Sequence, residues 1–142
     1  MRFFHSYSLL VVSYSLKRAE AREMDINTII ERIEEVKPNI LSDELKFSWV
    51  SSLDSRINRE VFKNNTELIY KSGEDGERKL LVSSPYDDMY FYYVSAMIDF
   101  SNNEIGEYNN NMALFNEKYT AFAKDYRRNN LPRNQGGFTN VI

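Results

Sequence analysis

The chain has 142 residues, 42% of them hydrophobic and 27% charged, which fits one globular, soluble domain with a single core and excludes a disordered or fibrous class. Its net charge of −3 argues against a general nucleic-acid binder, though not against a local basic patch. With no cysteine and a single histidine, His5, it lacks the parts of disulfides, thiolate sites, zinc enzymes and Ser-His triads.

Residues 1–23, MRFFHSYSLLVVSYSLKRAEARE, carry an early arginine and an apolar run, Leu9 to Leu16. The run is interrupted by Ser13 and Ser15 and is far too short to span a membrane. KRAEARE followed by Met24 reads as a translated ribosome-binding site, so the segment is taken as a misassigned start, with a secretory signal peptide as the alternative. Without its four basic and two acidic residues the balance is 14 basic against 19 acidic, or −5.

From Met24 a helical pattern begins. Ile26, Ile29, Ile30, Ile33 and Val36 recur at helical spacing, with Asp25 or a Thr28–Glu31 box as the N-cap and Pro38 as the stop. Ser42 caps a second helix with Asp43 and Glu44 in its first turn, and Leu45, Trp49, Leu53, Ile57 and Val61 form its apolar stripe. Residues 67–83 change character. Leu68 to Tyr70 and Leu80 to Val82 flank a turn with Gly73 and Gly76, which predicts a small β-hairpin or two extended arms. An isolated hairpin is marginal in water, so it should lean on the helices or on a neighbouring subunit.

Pro85 suits the first turn of a third helix, with Asp87 and Asp88 near its start and Met89, Tyr90, Tyr93, Val94, Met97 and Ile98 at helical spacing. The pattern resets at SNNEIG. Ile105, Tyr108, Met112, Phe115, Tyr119, Phe122 and Tyr126 then step by three and four residues over about 33 Å of helix. This is the core-facing stripe of a helix, long enough to serve neighbouring subunits as well. RNNLPRNQGGFTNVI has no periodicity and predicts a flexible tail over 128–142. The fold class is therefore all-α: a four-helix bundle-like protein over 24–127 with a long C-terminal helix pair, a hairpin insertion and a tail.

No catalytic constellation emerges. The acid pairs Asp43-Glu44 and Asp87-Asp88 sit at helix starts, where they offset the helix dipole, and neighbouring residues do not share a helix face. GEDG and QGG fit no phosphate-binding loop. The chain is read as a non-enzyme without cofactor or metal. Half of its twenty aromatic residues are Tyr, whose apolar body and polar tip suit half-buried surfaces.

KPN, SDELK, Trp49, LDSRI and EV, followed by PYDDMYFYYVSAMIDFSNNEIGEYNNNMALFNEKYTAFA, resemble a family of tailed-bacteriophage and prophage head–tail connector proteins. The likeness runs from about Ile26 to Tyr126. It implies an adaptor in a dodecameric ring beneath the portal protein, passing packaged DNA without sequence-specific binding and receiving a head-closure or tail protein. Such a protein resides at the head–tail junction of the virion and in the host cytoplasm during assembly. By the same resemblance the tail docks on the portal, through Arg127, Arg128, Leu131, Arg133, Phe138, Val141 and Ile142. Ile69, Tyr70, Tyr92, Tyr108 and Met112 are subunit-interface candidates, and Trp49, Leu53, Met97, Phe115 and Phe122 are core anchors. Two alternatives stand beside this reading. One is a small helical DNA-binding regulator of a mobile element using YRRNNLPR as a basic arm; the other is a secreted helical protein, if the leader is a true signal.

Overall fold

The computed structural model describes residues 24–131, and these contain four α-helices and no strand. Helix α1 spans Ile26–Val36, α2 Asp43–Glu60, α3 Asp88–Ser101 and α4 Ile105–Asn129. The fold is all-helical.

The four isoleucines of α1 are all buried, each removing apolar surface worth roughly 1.5–3 kcal/mol. Asp25 is the N-cap: its carboxylate accepts from the Thr28 N–H and hydroxyl, both at 2.8 Å. In α2, Ser42 accepts from the Leu45 N–H at 3.3 Å. The predicted stripe of α2 is displaced, however. Leu45 is exposed and Trp49 half-buried, while Phe47, Val50, Leu53 and Ile57 form the core face together with the polar Lys46, Asp54 and Asn58.

Helix α3 touches all three other helices, and α4 has its backbone neighbours on α3 alone among the described helices. The two join through a turn at Asn102 to Glu104, in which Asn103 takes a left-handed φ of 59°, a conformation Asn tolerates better than most residues. Pro85 lies in a turn ahead of α3 and outside the helix, which begins three residues later. Helix α4 has only Phe115 and Ala123 buried. Its predicted seam faces the core, but Tyr108, Met112, Tyr119, Phe122 and Tyr126 are half-buried and Ile105 is exposed. Arg127 and Arg128 occupy its last turn, so the helix continues two residues beyond the expected domain boundary.

The expected hairpin at 67–83 does not form. The two apolar runs do not pair with each other, and the only bridge among the described residues is a single antiparallel one between Asp25 and Lys79. Residues 62–87 instead make a strap across α2, and side chains of α2 take the place of a second strand. Ser55 Oγ accepts from the Leu68 N–H at 2.9 Å and donates to the Leu68 carbonyl at 3.0 Å. Ser51 Oγ accepts from the Tyr70 N–H at 2.8 Å, and Asn58 donates to the Thr66 carbonyl at 2.9 Å. The strap thus runs antiparallel to α2, pairing through a ladder of serines and asparagine.

Candidate functional site

Three polar centres fix the helices. In the first, Asp54 of α2 is fully buried and accepts on both oxygens: Oδ1 from the Tyr90 hydroxyl, Oδ2 from the Tyr70 hydroxyl and the Leu81 N–H. Burial pushes the Asp54 carboxyl above its ordinary value, against the opposing pull of Tyr70, Tyr90, Leu81 and Arg78. Burial, followed by the neighbouring Asp54, raises both tyrosines as well. Every polar atom of this cluster is occupied within the chain, so it is a structural hub, with no position open to a substrate.

In the second centre Lys46, with its side chain fully buried, reaches Glu34 of α1 at 3.2 Å and Asp43 at 3.8 Å. In the third, buried Asp99 near the end of α3 takes Lys37 on Oδ1 and Asn111 of α4 on Oδ2. This last centre gathers the end of α1, the end of α3 and the beginning of α4 at one end of the molecule.

That end is where large apolar side chains emerge. Val36 is 67% exposed, Ile40 fully exposed, Phe100 59% and Ile105 50%, and they lie next to Lys37, Asp99 and the α3–α4 turn. A single exposed apolar residue is ordinary, but several on one well-anchored end make a candidate interface. The Phe100 ring meets Tyr108 in a tilted contact at 5.5 Å, continuing the apolar surface onto α4.

The sequence-predicted residues scatter around this surface. Tyr108 and Met112 lie half-buried on α4, and Tyr92 half-buried on α3, where its ring meets Phe91 at 5.8 Å. Ile69 is exposed on the strap. Tyr70 is not a surface residue: it is 4% exposed and committed to Asp54, since its hydroxyl finds a partner only inside. Of the predicted core anchors, Leu53 and Phe115 are buried, while Trp49 and Phe122 pack half-buried against the core. Met97 is half-buried and takes no part in the core, because Val94 and Ile98 face inward on that stretch of α3. Arg127, Arg128 and Leu131 are exposed at the end of α4, with Arg128 paired to Asp125 at 2.6 Å. Arg133, Phe138, Val141 and Ile142 lie outside the described residues.

Among the described residues no group of three His, Cys, Asp or Glu side chains could hold a metal, and no helix is long and apolar enough to cross a membrane. Comparison with protein-family models, curated proteins and solved structures found no match.

Proposed function

We propose that this chain is a structural adaptor, a head–tail connector of a tailed bacteriophage or prophage, with no catalytic role. In this reading it is a four-helix bundle-like subunit of a ring beneath the portal protein, twelve copies in the virion, handing over to a head-closure or tail protein around the DNA channel. The observation that carries the reading is the apolar end: Val36, Ile40, Phe100 and Ile105 stand in solvent on a frame that Asp99, Lys37 and Asn111 hold rigid. Rigid presentation of exposed apolar side chains is what an assembly surface needs. The half-covered aromatic seam of α4 offers a second face to neighbours. The acidic balance of the chain suits a conduit that lets a duplex slide.

Co-sedimentation with isolated portal rings of the same phage or prophage tests this directly. Stoichiometric binding of the full chain is expected. Absence of binding, together with salt-dependent affinity for free duplex DNA, would overturn the connector reading in favour of the DNA-binding regulator.

A further inference from the structure

The strap carries an open backbone edge. Thr66, Leu68 and Tyr70 direct their backbone groups to Asn58, Ser55 and Ser51 of α2. In an extended chain the intervening residues point the opposite way. The N–H and C=O groups of Glu67 and Ile69 accordingly face away from α2, and they make no hydrogen bond inside the described chain. Both residues are exposed. Beside this edge lies a cleft of ≈ 750 Å³ whose lining includes Arg56, Arg59, Ile69 and Tyr93. Unpaired strand edges of this kind are templates for another extended segment.

We propose that the edge at Glu67 and Ile69 is filled by the chain's own C-terminal run, Phe138 to Ile142, laid down as a parallel strand. The course of α4 puts that run within reach. Tyr119 bonds Glu60 at 2.9 Å, and further along the ring of Tyr126 meets Phe62 at 4.8 Å. Helix α4 therefore runs parallel to the end of α2 and finishes beside the point where the strap begins. The strap heads back from there, and a chain leaving α4 must reverse to lie along it.

The sequence contains the means. Gly136-Gly137 permits a reversal at little steric cost, and FTNVI after it is a β-prone run without Pro or charge. From Leu131 the seven residues to Phe138 span up to about 25 Å when extended. In a strand Phe138 and Ile142 share one face, which suits them to the cleft beside Ile69 and Tyr93. The inference is independent of the ring reading. Docking of the same residues on a portal would require their release from this edge.

Because the chain contains no cysteine, paired substitutions test the contact cleanly. Ile69→Cys is combined with Asn140→Cys, or with Ile142→Cys to allow for register, both on the face that Phe138 shares, and oxidised in dilute solution. Neighbouring strands lie about 4.8 Å apart, within the Cα separation a disulfide accepts. An intrachain bridge is expected from one of these pairs, formed at least about tenfold faster than in a control pairing Ser101→Cys with Asn140→Cys. Bridges only between chains would assign the edge to a second copy and overturn the proposal, as would no preference over the control. Amide exchange gives a second readout without cysteines. The Ile69 N–H should exchange at least about tenfold more slowly in the full chain than in one ending at Gly137, and equal rates would overturn the proposal.

Discussion

The hydroxyl of Tyr90 on α3 donates to Oδ1 of Asp54 on α2 at 2.5 Å, and the Tyr90 hydroxyl oxygen in turn accepts the Val82 N–H at 3.0 Å. Tyr70 closes the other side of the carboxyl at 2.6 Å. A single buried side chain therefore ties α2 to α3 and holds the strap at both of its apolar runs. This is the kind of hub whose loss leaves several buried donors without partners.

Asp54→Asn should destabilise the protein by about 1–3 kcal/mol, because an amide cannot accept on both sides and turns an N–H toward donors that remain. The cost should depend on pH. Burial, acting against the hydrogen bonds, holds the Asp54 carboxyl above 3.8 in the folded state. Its contribution to stability is then fully present below that unfolded value and is lost as pH rises through the higher folded one. Urea denaturation at about pH 4 and about pH 7 should therefore give a larger difference between wild type and variant at the lower pH. A difference that grows with pH would show that the hub favours the charged carboxylate.

Ser55→Ala removes a hydroxyl that both accepts from and donates to Leu68, at 2.9 and 3.0 Å. The Leu68 backbone is part-buried, so leaving it unpaired should cost about 1–3 kcal/mol. The effect should be local first. Amide exchange at Leu68 and Tyr70 should accelerate while the Ile29 and Ile33 amides of α1 keep their protection. Uniform acceleration across the chain would mean that the strap and the helices open as one unit.

The strap also shows why part of this fold was hidden in the sequence. Alternating apolar runs around Gly73 and Gly76 carry the pattern of a hairpin, and nothing local reveals that the partner is a helix. The signal was Ser51, Ser55 and Asn58 at steps of four and three, polar residues on what proved to be the inner face of α2. Reading hydropathy alone moved that face toward Leu45 and Trp49. Asp54 and Lys46 are invisible for the same reason, since their burial depends on Tyr70, Tyr90 and Glu34 elsewhere in the chain. By contrast, α1 and the cap at Ser42 were legible because their causes are local. The apolar end was missed because its residues come from the end of α1, the loop after it and the α3–α4 turn. No single periodic stretch displays them.

Phe115 and Trp49 separate buried from half-buried aromatic anchors. Phe115 is fully buried and meets Tyr93 at 5.1 Å and Tyr119 at 5.6 Å. Phe115→Ala should cost about 3–5 kcal/mol, through lost transfer energy and the cavity left behind. Trp49 lies half-buried at the core boundary, so Trp49→Ala should cost clearly less despite the larger side chain. Thermal melts of the two variants check the order. Equal losses would place the Trp49 indole deeper in the core than its exposure indicates.

The apolar end gives the prediction closest to function. Ile40→Asp alters a side chain that is fully exposed, and Phe100→Asp one that is 59% exposed. Neither should shift the melting temperature by more than a few degrees, since surface substitutions usually change stability by less than about 0.5 kcal/mol. Both should weaken assembly sharply. A carboxylate placed in an apolar contact must be desolvated without a partner, and the penalty recurs in every copy that uses the surface. Asn109→Asp, on an exposed position of α4, adds the same charge away from that end and serves as the control. Sedimentation with portal rings should show the control bound like wild type and both apolar-end variants left in the supernatant. If all three bind alike, the apolar end lies outside the assembly contacts, and the half-covered seam of α4 becomes the surface to test next.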